Sequence, residues 1–125
     1  MRPRGPCVGQ LVMYTLNAID AQQINARRRS AAQLQEAILA DAWPVGAQAH
    51  MGNAVAAGDR FGAVVVRVGE GSIINLQVML DGTDTHWARA ARRGGRSEHG
   101  SWQPMPRCVF HGRGTWICRE AERRS

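Results

Sequence analysis

GNAVAAGDRFGAVVVRVGEGSIINLQVMLDGTDTHWARA (residues 52–90) decides the fold, because β-branched residues alternate there with turn-forming glycines and aspartates. FGAVVVRV (61–68) is short and valine-rich, which suits a pleated, half-buried strand. GEGS (69–72) is a hairpin connection. In the returning segment IINLQVML (73–80), Ile74, Leu76, Val78 and Leu80 fall on one face and Asn75, Gln77 and Met79 on the other. Asp81-Gly82 is a strong hairpin signal, and THWARA (85–90) supplies a third strand. The segment therefore predicts an antiparallel meander curling toward a small barrel, in a chain of class α+β, mainly β.

Upstream of this segment the signals are helical. Asp20 followed by Gln23 predicts a capping box, with the helix running over residues 20–42. Ile24, Ala31, Leu34 and Ile38 share one face, while Arg27, Arg28, Arg29, Gln33 and Glu36 spread around the rest. That apolar stripe is thin, so the helix is expected to lie against the sheet or a partner. Trp43-Pro44 ends it, since a residue before proline is pushed out of the helical region. Residues 1–12 carry proline, glycine and arginine without period and are expected to form a disordered lead, with Met13 an alternative start. Gly52-Asn53 and Gly58-Asp59 mark turns between short extended pieces, one of them at 48–51.

Downstream, RRGGRSEHGSWQPMPR (91–106) reads as a basic loop with at most one short edge strand at Trp102. A single domain is thus expected over 13–106, with the helix at 20–42 and the barrel at 46–104. Residues 107–125 form a tail that alternates too weakly to define an element. At 125 residues the chain is the size of one domain, and 44% apolar with 21% charged residues excludes full disorder.

The charge is less ordinary. All 16 basic residues are arginine, against 10 acids, for a formal net charge of +6. Codon bias in a GC-rich genome produces arginine without lysine; so does a polyanion partner, because the guanidinium fork matches phosphate. No apolar run reaches membrane-spanning length, and the start lacks the apolar centre of a signal peptide. Cys7, Cys108 and Cys118 are odd in number, which predicts reduced thiols in a cytoplasmic setting.

Clusters with chemical potential mostly have simpler explanations. Asp81, Asp84 and His86 could together bind a metal or exchange protons, yet Asp-Gly-Thr-Asp is also what a hairpin turn looks like. Cys108, His111 and Cys118, with His99, offer soft ligands, but only Cys108 and His111 have the tight spacing of a zinc site. A cysteine nucleophile would lack an orienting group, and no glycine run precedes a helix with the lysine and hydroxyl of a phosphate loop. No cofactor, metal site or enzymatic activity is therefore expected. The stronger pattern pairs Arg27, Arg28 and Arg29 on the helix with Arg89, Arg92, Arg93 and Arg96 after the third strand, beside Trp87 and Trp102. Arginines around flat exposed rings would hold nucleic acid or a nucleotide.

The Gly-Asp turn, AVVVRV, and NLQVML ending in Asp-Gly resemble Tudor-like small β-barrels. More widely, TLNAIDAQQINARRR ahead of GNAV, AGD, VVRV, NLQV, LDGTDTHWA and SWQP resembles a family of small proteins of actinobacterial phages and prophages, over about residues 13–104. The resemblance implies a location in the host cytoplasm or the virion and carries no catalytic residues. A non-enzymatic module holding a polyanion follows as the expected function. The alternative is a structural component or host-takeover factor that meets another protein or its own copy.

Overall fold

The computed structural model describes residues 5–39 and 51–105, the side chains of 34–39 excepted. The expected tail at 107–125, its cysteines and His111, and the Trp43-Pro44 helix stop lie outside the described residues. Five strands form a closed barrel: β1 (Leu11–Thr15), β2 (Arg60–Val68), β3 (Ile74–Met79), β4 (Thr85–Arg93) and β5 (Ser101–Pro104). One helix, α1 (Ala18–Leu39), separates β1 from β2. The α+β, mainly β class and the small barrel with an N-terminal helix are therefore as expected.

The meander β2-β3-β4 is antiparallel throughout, in the order its turns predict. Closure comes from two strands that the alternation shows poorly. β1 pairs antiparallel with β2 from Leu11↔Val64 to Thr15↔Arg60, and with β5 from Val12↔Pro104 to Tyr14↔Trp102. β5 in turn runs parallel to the end of β4 through Arg92↔Ser101 and Arg93↔Trp102. Closure covers the sheet edges that a three-stranded meander would leave, except along the part of β4 before Arg92.

These pairings correct two expectations. The lead is not disordered up to residue 12: the Gly9 amide donates to the Val65 carbonyl (2.7 Å) and the Val65 amide to the Gln10 carbonyl (2.9 Å), extending the ladder ahead of β1. Val12 is fully buried, so a chain starting at Met13 would lack a core side chain. Trp102, expected on an exposed edge, is instead only 2% exposed, with its indole N–H donating to the Ser72 carbonyl at 2.8 Å. A four-residue strand with one aromatic gives little periodicity, yet its tryptophan joins Val12, Val65, Ile74, Leu76 and Val78 in one core.

The helix also starts earlier than its first capping signal. Asn17, rather than Asp20, is the N-cap: its Oδ1 accepts the Asp20 amide (2.7 Å), and Asp20 Oδ2 accepts the Asn17 amide (3.0 Å). That reciprocal pair is a capping box with Asp in the usual Glu or Gln place, and its charge suits the positive end of the helix. Ala21 and Ile24 then enter the barrel core, while Asn25 ties the helix to the approach of β2. Its side chain donates to the Val55 carbonyl (2.7 Å) and accepts the Val55 amide (2.8 Å), imitating a strand partner.

Candidate ligand-binding cleft beside β4

Three elements converge on Asp20. Tyr14 on β1 donates its hydroxyl to Asp20 Oδ2 at 2.6 Å, and Nε2 of His86 on β4 lies 2.9 Å from Asp20 Oδ1. An ionised carboxylate only accepts, so Nε2 carries the hydrogen. Tyr14, Asp20 and His86 are all buried, so the network sits under the surface and clamps the first turn of α1 to the barrel. Burial works to raise the Asp20 pKa, but the hydrogen bonds from His86, Tyr14 and the Asn17 amide outweigh it and hold the carboxyl below its ordinary value. Burial, helped by the hydrogen bond to Asp20 and its charge, pushes the Tyr14 phenol well above its ordinary value.

Directly outside this network lies a cleft of about 640 Å³, lined by Tyr14, Asn17, Ile19, Asp20, Gln23, Trp87 to Ala90 and Gly100. Its position follows from the barrel's pairing. β5 meets β4 only at Arg92 and Arg93, so the preceding stretch of β4 has no strand on that side and α1 packs there instead. Ile19, 64% exposed, and Trp87, 54% exposed, give the cleft its apolar wall.

A bulge aims the arginines. Between Ile74↔Ala91 and Leu76↔Ala88 the register slips, so that Arg89 and Ala90 both oppose Asn75, whose Oδ1 accepts the Ala90 amide at 2.8 Å. Ala90 takes a left-handed φ of 55° to make this possible. Strict alternation from His86 and Ala88 would turn residue 90 inward; the extra residue buries Ala91 instead and leaves Arg89 and Arg92 exposed. The Arg89 guanidinium lies 5.1 Å from the centroid of the Trp87 ring. Arg93, also exposed, lies 5.6 Å from that of Trp102.

The loop at 94–100 is held in place rather than left loose. Ser101 Oγ and Gln103 Nε2 both donate to the Gly95 carbonyl (3.2 Å each), and Thr15 Oγ1 donates to the Arg96 carbonyl (3.1 Å). Arg96 therefore extends the basic strip of β4 from a fixed backbone.

The expected polyanion-binding residues thus separate into two groups. Trp87, Arg89, Arg92, Arg93 and Arg96 follow one another along β4 and its loop, all exposed. Arg27 and Arg28 do not belong with them, because both pair with Asp84, at 3.1 and 2.8 Å, and Arg28 also donates to the Asn53 carbonyl. Both guanidinium groups are turned to one nearly buried carboxylate, which offsets one of their two charges. Trp102 offers no face for stacking because it is in the core. Ile19 and Asn17 carry no sequence signal for a site until β4 is seen beside them, and Gln23, expected to cap the helix, lines the cleft instead.

The Asp81, Asp84 and His86 cluster also disperses. Asp81 accepts from Asn53 Nδ2 (2.6 Å) in the turn, Asp84 faces the helix arginines, and His86 turns inward to Asp20. Among the described residues no group of three metal-ligating side chains comes together, and no helix is long and apolar enough to cross a membrane. Comparison with known proteins finds no matching family model, curated protein or solved structure.

Proposed function

We propose that the protein is a non-enzymatic binding module that holds single-stranded nucleic acid along the outer edge of β4. The observation that carries this reading is the exposed Trp87 ring with Arg89 beside it, at the mouth of a cleft and followed along the chain by the exposed Arg92, Arg93 and Arg96. A ring offers a stacking surface to any base, and exposed guanidinium groups beside it suit phosphates. An acid-base role for Tyr14, Asp20 and His86 has less support, because both carboxylate oxygens already accept hydrogen bonds in a buried network.

The test is fluorescence anisotropy of a labelled single-stranded oligonucleotide titrated with the full chain at several salt concentrations. Binding at low salt that weakens steeply with added salt is expected, with a slope of roughly −0.7 per phosphate contacted. Absence of binding at low salt would remove the reading.

A second reading is a structural or protein-interaction component of a phage particle, or a host-directed factor. It is favoured by the row Leu11, Val64, Gln77 and Trp87, which the register places side by side across four strands of the outer face. Leu11 and Trp87 at its two ends are exposed, as is nearby Met79. Light scattering that gives a stable oligomer, indifferent to oligonucleotide, would favour this alternative.

A further inference from the structure

We infer that the cleft between the first turn of α1 and β4 is a slot for one unstacked base of the bound strand, with its ring against Trp87 and Ile19 and its polar edge read by the side-chain amides of Asn17 and Gln23. This rests on the nucleic-acid reading above and goes beyond it, because a strip of arginines and one ring would bind any strand along its backbone without taking a base in.

The volume comes first. The cleft is open to solvent on one side, and its volume of about 640 Å³ is of the size that holds a small ligand. A nucleotide fits such a space, with its phosphate left outside toward Arg89.

The lining is the second point. Ile19 sits at the second position of α1 and stays exposed although its neighbours Ala21 and Ile24 are buried, so it contributes nothing to the barrel core. Trp87 likewise points away from the core that His86 and Ala88 enter. An aliphatic and an aromatic side chain on two elements, both lining one cleft, suit a flat apolar ring of the size of a base.

The polar groups are the third. Asn17 spends its Oδ1 on the helix cap, and its Nδ2 makes no hydrogen bond to the described residues. Glycine keeps that group clear: a Cβ at Gly100, whose φ is +79°, would come within 3.0 Å of Asn17 Nδ2. Gln23 is exposed and its amide has no partner among the described residues. Gln23 can present a donor and an acceptor side by side, the pattern that pairs with a base edge, adenine above all, and Asn17 Nδ2 adds a further donor. A phosphate or a sugar alone would leave the apolar wall and these amides unused.

The cleft's floor explains why the slot holds its shape. Asp20 and Tyr14 line it, but their hydrogen bonds run inward to the His86 network and to the cap. They fix the first turn of α1 against β4, and with it the positions of Asn17, Ile19 and Gln23.

The experiment measures binding of the full chain to three labelled single-stranded 12-mers at one low salt concentration: all-adenine, all-thymine, and a strand whose central positions are abasic. The all-adenine strand is expected to bind about tenfold more tightly than the abasic one, the scale of one base-aromatic stack. In Ile19→Ala and Gln23→Ala, both at exposed positions, that ratio should fall to about twofold or less with an unchanged salt slope. Equal binding of abasic and base-bearing strands by the wild type would overturn the slot while leaving the arginine strip standing. The same holds if both variants keep the wild-type ratio. Failure of all three strands to bind would overturn the nucleic-acid reading and the slot with it.

Discussion

His86 Nε2 lies 2.9 Å from Asp20 Oδ1, joining residues 66 positions apart in the chain and fixing α1 to β4 through a single carboxylate. The other oxygen of that carboxylate accepts the Tyr14 hydroxyl and the Asn17 amide, so one side chain links β1, the helix cap and β4. Among the described side chains of α1, Ala21 and Ile24 join the core cluster, and this network adds a polar attachment beside them.

Removing the acceptor should therefore cost more than removing one donor. Asp20→Asn keeps the shape but replaces one acceptor oxygen with a donor, facing either His86 or Tyr14 with a clash of donors. A loss of about 2–3 kcal/mol is expected, against about 1 kcal/mol for Tyr14→Phe. Urea denaturation followed by tryptophan fluorescence compares them. Equal small losses would mean that water reaches the network and replaces the missing bonds.

The same network sets two pH limits. The Asp20 and Asp84 carboxyls titrate below their ordinary values when folded, Asp84 because its bonds to Arg28 and Arg27 outweigh its burial. The unfolded chain then holds more protons near pH 4, so their contribution is complete above about pH 4 and is lost as the pH falls below it. Tyr14 is raised when folded, so the folded state keeps a proton that the unfolded chain releases. Its contribution is complete below about pH 10 and lost as the pH climbs further. Tyr14 is the chain's single tyrosine, so the phenolate absorbance that appears at high pH, above the tryptophan background, comes from it alone. Phenolate signal should appear only together with unfolding; a simple titration near pH 10 with the fold intact would show that the hydroxyl is open to solvent.

How legible each part was follows from how local its cause is. β2, β3 and β4 repeat over six to nine residues between Gly and Asp turns, so alternation alone reveals them. β1 and β5, at five and four residues, are too short for a period, and what makes them strands is closure against each other. The cap was expected at Asp20, and Asn17 takes it instead, because the Asp20 carboxylate is also needed by Tyr14 and His86. The arginines of β4 were recognisable by charge, but whether an arginine is exposed or paired depends on distant residues. Arg28 meets Asp84 across 56 positions of chain, which no local pattern shows.

Two backbone positions should respond in opposite directions. Ala90 holds a left-handed φ of 55°, a conformation that costs an L-residue about 1 kcal/mol and glycine almost nothing. Ala90→Gly is expected to stabilise the fold slightly, by up to about 1 kcal/mol, without disturbing the bulge. Gly52→Ala should destabilise it, because the new Cβ would press on the Asp81 carbonyl and on Gly82, its bridge partner, at 2.6 Å or less. Thermal unfolding of the two variants checks the signs; an Ala90→Gly protein of lower melting temperature would mean that the alanine side chain packs against something the bulge needs.

The last prediction separates the two arginine groups. Trp87→Ala, and Arg92→Ser with Arg93→Ser, alter exposed side chains and remove one cation–ring contact each, so stability should change by no more than about 1 kcal/mol. Affinity for a single-stranded oligonucleotide should fall about tenfold in the first, with the salt slope unchanged, because a stacking surface is lost and no phosphate contact. In the arginine double variant the slope itself should become shallower by roughly 1.4, from two phosphate contacts at about 0.7 each. Arg28→Met should do the reverse. It leaves the nearly buried Asp84 with one fewer cation, which costs about 2–3 kcal/mol of stability, and it removes no group from the β4 strip. Binding of Arg28→Met measured well below its melting temperature should match the wild type. A drop in its affinity comparable to that of the Arg92 and Arg93 variant would return the helix arginines to the binding surface and extend it across the Asp84 turn.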